Sequence, residues 1–203
     1  IIQKGGNAFG LACDVTNREH VEEKIRRAID EYGRINFQFN CAGAAGRRAT
    51  FLEIDEELWD STFNVNAKSI YYCMQAVLPH MLEQGGGVIV NVASMSHKRG
   101  GPGSSIHYAS AKGAVVTMTL GVAREFADRG IRCLSISPGP VKTAFQENAN
   151  TSTELIERFK NDVPMKRFAE PEEVGELVLF MCSDACEYMT ADTVYMNGGG
   201  GWR

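Results

Sequence analysis

Tyr108 and Lys112 stand four residues apart in "HYASAK" (107–112), a spacing that puts both side chains on one face of a helix. A phenol ordinarily titrates near pH ~10, and a nearby ammonium favours the phenolate, so such a pair can move a proton near neutrality. In isolation the pattern is common, and two ordinary side chains on a helix face explain it equally well. Its neighbours bear on the choice. Ser94 lies fourteen residues before Tyr108, directly after the apolar run "VIVNVA" (88–93). A hydroxyl there can hydrogen-bond a carbonyl or alcohol oxygen, or simply close a turn. Asn66 sits among apolar residues in "FNVNAKSIYY" (63–72); mid-helix Asn is a poor helix former, and a buried amide needs partners. The small residues of "NCAGAAG" (40–46) let a flat ligand approach the backbone.

The elements that must position these residues are legible from periodicity. In "CDVTNREHVEEKIRRAIDEYGR" (13–34), Thr16 and Glu19 read as a capping box. Val21, Ile25, Ala28, Ile29 and Tyr32 share a face, and Gly33 stops the helix. "INFQFN" (35–40) alternates as a short strand through Ile35, Phe37 and Phe39. A long helix is predicted from about Asp55 to 82, bent at Pro79 and ended by Gly85–Gly87. "VIVNVAS" (88–94) and "IRCLSIS" (131–137) are β-branched runs of the kind buried on both faces of a sheet. Between them a helix spans about Tyr108 to Asp128 and ends at Gly130. Residues 144–170 are polar and irregular around a short helix over 154–160. A helix with Pro171 in its first turn and a last strand and tail in "DTVYMNGGGGWR" (192–203) complete the chain. Strands alternating with crossover helices predict an α/β fold, a doubly wound parallel sheet of Rossmann-like type. Ligands bind such sheets beyond the carboxyl ends of the strands. Asn40 to Gly43, Ser94, and Pro138 to Thr143 all follow strands.

Composition narrows the function classes. The chain has 203 residues, 44% apolar, with a net charge of −4 and a pI near 5.6. One domain is expected over 1–203, and an acidic balance disfavours a nucleic-acid binder. No apolar run is long enough for a membrane span and no secretory signal is visible, so a cytoplasmic protein is expected. The six cysteines include no CxxC and are expected as reduced, buried small hydrophobes. The four histidines have no metal-ligand spacing, and no metal is expected.

The set "NCAG" (40–43), "NVNAKS" (64–69), "VIVNVAS" (88–94), "YASAK" (108–112) and "SPGPVKT" (137–143) resembles the short-chain dehydrogenase/reductase family, in its single-domain branch. "CDV" (13–15) and "DTVYMNGG" (192–199) fit as well, so the resemblance runs over essentially the whole chain. It implies NAD or NADP as cofactor. It implies Tyr108 as acid/base, Lys112 as ribose anchor and tuning charge, Ser94 as the group orienting the substrate oxygen, and Asn66 as holder of a relay water. Asp14 and Val15 would border the adenine, and Asn40, Ala42 and Gly43 the adenosine side. Pro138, Gly139, Val141 and Thr143 would embrace the nicotinamide. The family's opening strand and TGxxxGxG-type turn are not found, so the N-terminal portion, with the phosphate-binding turn and the residue choosing NAD or NADP, is expected to be missing. The Ser94–Tyr108 spacing is one residue longer than usual, which leaves Ser96 as a fallback.

Arg47, Arg48, His97, Lys98 and Arg99, with His107, could attract an anionic hydroxy, keto or sugar acid, or simply be solvated loop charge. Ser96, His97 and Phe145 are substrate-side candidates. Residues 144–165 resemble a substrate lid, with Phe145, Leu155, Ile156 and Phe159 as an apolar face. The expected function is NAD(P)-dependent hydride transfer between nicotinamide and a secondary alcohol or ketone. A 3-oxoacyl-(acyl-carrier-protein) reductase is the alternative within the class; "HMLEQGGG" (80–87) lacks the basic character its carrier would need, although Arg129 lies nearby. A non-catalytic dinucleotide sensor is the alternative of another class. The resemblance also implies a dimer or tetramer through helices 55–82 and 108–128, with Tyr71, Tyr72, Met74, Val116, Met118, Leu120 and Phe126 as core or interface.

Overall fold

The β-branched runs form the centre of a parallel sheet. In the computed structural model, residues 1–200 are described, Gln146 and Glu147 by backbone alone; the tail residues 201–203 of the expected last segment lie outside them. The strands are β1 (Phe37–Asn40), β2 (Gly87–Val92), β3 (Ile131–Pro138) and β4 (Thr193–Met196), ordered β1-β2-β3-β4. All three pairings are parallel: Asn40 lies opposite Asn91, Val92 opposite Ile136 and Pro138 opposite Met196. The carboxyl ends of the strands therefore share one edge.

Eight α-helices are described: α1 (Arg18–Tyr32), α2 (Glu56–Phe63), α3 (Ser69–Glu83), α4 (Ser96–Arg99), α5 (Ile106–Phe126), α6 (Phe145–Asn148), α7 (Thr153–Asp162) and α8 (Pro171–Cys182). Successive strand residues point to opposite faces, and the core divides accordingly. Ile89, Ile131 and Cys133 face α3 and α5, against Met74, Val77, Met81 and Val115. Val88, Val90, Leu134 and Ile136 face α8, against Val178 and Met181. Helices thus cover both faces, as the continuous apolar runs require.

Several expectations are corrected. Asn17, not Thr16, caps α1: its side chain accepts from the His20 N–H, while Thr16 bonds to Asp14. The helix predicted over 55–82 is two helices joined by a π-helical turn over Asn64–Lys68, and α3 continues through Pro79 to Glu83. Phe37 and Phe39 are exposed, because among the described residues β1 pairs with β2 alone. Cys13 and Cys41 are exposed rather than buried; Cys133 and Cys186 are the buried ones.

The central strand also carries an amide. Asn91 is fully buried. Its Oδ1 accepts from Asn40 Nδ2 at 2.8 Å, and its Nδ2 donates to Thr119 Oγ1 of α5 at 3.0 Å. One side chain thereby ties β1, β2 and α5 together, and a buried group that loses its partner costs about 1–3 kcal/mol. Asn91→Val should therefore lower the unfolding free energy by about 2 kcal/mol in urea titration, with Asn40 Nδ2 left only its 3.4 Å bond to Gln38 as the cause; the double variant Asn40→Val/Asn91→Val should recover part of that loss.

Candidate active site

The π-helical turn has a local cause. Asn66 Nδ2 donates to Thr62 O at 2.9 Å, occupying a carbonyl inside the helix. The backbone widens around it, and Ser69 N–H reaches back to Asn64 O, the five-residue step of a π-bulge. The same amide donates to Ala44 O at 2.6 Å, and its Oδ1 accepts from Ala44 N at 3.2 Å. Asn66 therefore clamps the α2–α3 junction to the loop after β1. Its side chain is committed to backbone groups, so this structure gives it a positioning role; the relay-water role came only from the resemblance.

Gly43 sits on this clamp. A Cβ there would lie 2.8 Å from Asn66 Oδ1 and 3.2 Å from Lys112 Nζ, so a side chain would push both groups aside. Lys112 projects from α5, is buried, and donates from Nζ to Val92 O at the end of β2, at 2.7 Å. Burial pushes its pKa down to about 8, because an ammonium out of water is disfavoured.

Tyr108, one turn earlier on α5, is buried too, with Lys112 Nζ 5.8 Å from its ring centroid. Burial pushes its pKa up to about 12, and a hydrogen bond with the Ser94 side chain pulls the other way. Desolvation is the largest influence, and the phenol is protonated at neutral pH. Ser94 Oγ accepts from Ser96 Oγ at 2.9 Å and from Ser96 N at 3.2 Å. Of the two serines, Ser94 is the one whose side chain pulls on the phenol, and Ser96 donates to it. The Tyr108 ring packs on Phe145 at 5.6 Å.

These groups open into a cleft of about 410 Å³ at the carboxyl edge of the sheet. Ser94, Ser96, Tyr108, Lys112 and Phe145 line it, as do Gly43, Pro138, Gly139, Val141 and Thr143. Other candidates fall elsewhere. Asn40 spends its amide on Asn91, and Asp14, Val15 and Ala42 do not line the cleft. His97 lies behind the lining, with Nδ1 against Ser94 O and its ring stacked on Tyr195. Cys41, read from sequence as buried filler, lines the cleft; its place directly after β1 was the available signal. The residues present fit a nicotinamide dinucleotide on its nicotinamide side. Gly43 leaves open floor beside a buried ammonium, and Gly139, with Asn197 Cα only 3.0 Å from where a Cβ would stand, keeps the β3 exit thin.

Comparison with known proteins bears on this arrangement. A family model described as enoyl-(acyl carrier protein) reductase matches residues 1–200. The 3-oxoacyl-(acyl-carrier-protein) reductase FabG of Thermotoga maritima is 36% identical over 194 residues, covering 96% of this chain and 77% of the relative. The 4-formylbenzenesulfonate dehydrogenase of Comamonas testosteroni is 35% identical over 198 residues, covering 96% and 78%. A crystal structure from Burkholderia xenovorans described as a short-chain dehydrogenase/reductase superposes with a TM-score of 0.91 at 29% identity, covering 100% of this chain and 78% of that one. That of gox2181 superposes at 0.93 and 29% identity, covering 98% and 77%. A sheet of this order with its carboxyl edge so furnished, and relatives this similar over nearly all of its length, place the chain in the short-chain dehydrogenase/reductase family of oxidoreductases.

Proposed function

We propose that this oxidoreductase uses NAD or NADP to interconvert a secondary alcohol and a ketone, with Tyr108 moving the proton. The observation that carries the reading is the meeting of Ser94, Tyr108 and the buried Lys112 in one cleft at the carboxyl edge of the sheet. When bound, the nicotinamide dinucleotide accepts or supplies the hydride at the carbinol carbon. Ser94 Oγ orients the substrate oxygen within reach of the phenol. In reduction the Tyr108 hydroxyl gives its proton to that oxygen; in oxidation the phenolate takes it back. The Lys112 ammonium faces the phenolate formed in between and stabilises it. Phe145, against the Tyr108 ring, helps to keep water from the exchange, and residues 144–165 act as the lid.

A small acidic substrate suits this site, and the sulfonate in the name of the Comamonas relative supports that class. The FabG relative supports a second reading, a 3-oxoacyl-(acyl-carrier-protein) reductase; turnover of an acyl-carrier thioester in preference to free hydroxy acids would select it. A homodimer or tetramer through α3 and α5 fits the exposure of Tyr71 and Leu120.

Tyr108→Phe should lower kcat by about 10³-fold in a reduced-cofactor absorbance assay while leaving the cofactor dissociation constant within about twofold; retained turnover would remove Tyr108 from the mechanism. With the phenol protonated up to about pH 12, ketone reduction should be flat through neutral pH. Alcohol oxidation, which needs the phenolate, should rise about tenfold per pH unit up to about pH 8, where Lys112 begins to lose its charge.

Lys112 gives a stability test as well. Its folded pKa of about 8 lies below the ordinary 10.5, so between these values the unfolded chain holds a proton that the folded one has released. Stability from this group is therefore lowest below pH 8 and rises with pH across the window. Lys112→Met should be inactive, yet more stable than the parent at neutral pH by on the order of 2 kcal/mol. That advantage should shrink as the pH climbs past 8, read by thermal unfolding.

A further inference from the structure

Charge in the cleft is one-sided. Among the described lining residues the charged side chains are Arg48, Arg99 and Lys112, with no Asp or Glu, on a chain whose net charge is −4. Lys112 is committed to Val92 O beside Tyr108, and Arg99 reaches Asp162 at the end of α7, at 3.5 Å.

Arg48 is different. It is half-buried, and its guanidinium lies over the Phe159 ring, 5.5 Å from the centroid. Nη1 donates to Gly103 O at 2.7 Å and Pro102 O at 3.4 Å, and Nε and Nη2 donate to Thr151 Oγ1 at 3.2 and 3.1 Å. Every one of these acceptors is neutral, and no carboxylate among the described residues pairs with it. A guanidinium stays charged in proteins, and holding it partly out of water without a counter-ion is unfavourable.

The other basic residues of the two loops are accounted for. Arg47 pairs with Asp55 at 2.7 Å and lies outside the cleft lining. Lys98 is exposed over the Tyr195 ring. His107 is buried, holds Ala45 O with Nε2, and is pushed by burial towards its neutral form.

The position of Arg48 indicates what its counter-ion belongs to. It follows Ala45 by three residues, and Ala45 packs with Tyr108 and Phe145. Its partners lie on the Pro102–Gly103 loop, at Thr151 and on α7, away from the Gly43 and Val92 floor where Lys112 is held. We propose that Arg48 binds the acid group of the substrate, a carboxylate or sulfonate, and is the residue that selects acidic over neutral alcohols. This rests on the oxidoreductase reading above. The bonds to Gly103, Pro102 and Thr151 leave one Nη2 N–H uncommitted, and that donor with the guanidinium charge suits such an oxyanion; Phe145 and Phe159 supply apolar cover for the body of the substrate.

The test compares 3-hydroxybutyrate with its methyl ester, using the full chain and saturating cofactor. The readout is the ratio of the two kcat/KM values. The parent should prefer the acid. Arg48→Gln should reduce the acid-to-ester ratio by about 100-fold, and Arg48→Lys, which keeps the charge but loses the planar group held by Gly103 and Thr151, by about 10-fold. Arg47→Gln removes the same charge outside the cleft and should leave the ratio within about twofold. No preference in the parent, an unchanged ratio in Arg48→Gln, or an equal fall in Arg47→Gln would each overturn the proposal. Weaker cofactor binding in Arg48→Gln with an unchanged ratio would assign Arg48 to a cofactor phosphate instead, and also overturn it. If Arg48→Gln does not fold, Arg48→Lys decides by the same ratio. If the parent turns over neither alcohol, the oxidoreductase reading fails at that step. Calorimetric titration of the parent and Arg48→Lys with 3-hydroxybutyrate then decides the anion site by itself: tighter binding to the parent supports it, and equal or absent binding overturns it.

Discussion

An ammonium without water is the constraint around which this site is arranged. Lys112 lies at the heart of the fold, and its burial is tolerable only because Val92 ends its strand with a carbonyl pointing at Nζ and because no side chain at Gly43 separates it from Asn66. That carbonyl is free for Lys112 because it stands at the carboxyl edge of β2, past the last pair with β1, Asn40 opposite Asn91. The parallel sheet, the α5 register and the glycine after β1 therefore meet at one cation. A charge held this way is poised to respond to a second charge. It is unfavourable while Tyr108 is a neutral phenol and favourable once a phenolate forms beside it. In the proposed mechanism the site is thus better matched to the proton-transferred state than to the resting one.

Amides do the mechanical work around that charge. Asn66 ties the α2–α3 junction to Ala44, and Asn91 ties β1 and α5 to β2. Both are fully buried, and both satisfy themselves on groups distant in sequence. The Asn66 clamp fixes the loop after β1, which carries Gly43, Ala45 and Arg48. The Asn91 node fixes α5 against the sheet, and with it the height at which Tyr108 and Lys112 stand. Directional bonds in an apolar interior specify geometry more tightly than packing alone.

The cleft has two unlike ends. Around Lys112 its floor is strand ends and glycines, suited to a flat group lying close to backbone. Around Arg48 it is bordered by aromatic rings and a cation, with α7 held across it by Arg48 and by the Arg99–Asp162 pair. On the proposal for Arg48, substrate choice and ordering of the α7 segment are mechanically linked, because Arg48 holds Thr151 and Phe159 with the same guanidinium.

Much of this was legible in the sequence. β-branched runs announced β2 and β3, strand–helix alternation announced the parallel sheet, and Tyr108, Lys112 and Ser94 stood out because their spacing relative to strand and helix ends is local information. The sequence also marked Asn66 as odd without showing why. Only the tertiary structure decided the rest. The clamp that makes Asn66 useful is its bond to a loop 22 residues away, which no window of helical periodicity contains. Arg47 and Arg48 are adjacent and chemically identical, yet one pairs with Asp55 at the surface and the other lines the cleft. The Tyr108 phenol is held up to about 12 by burial, which its spacing from Lys112 does not reveal. Element type follows from propensity and period, which are properties of neighbouring residues. Burial, partner choice and pKa follow from what comes close in space, and the folded chain alone brings those groups together.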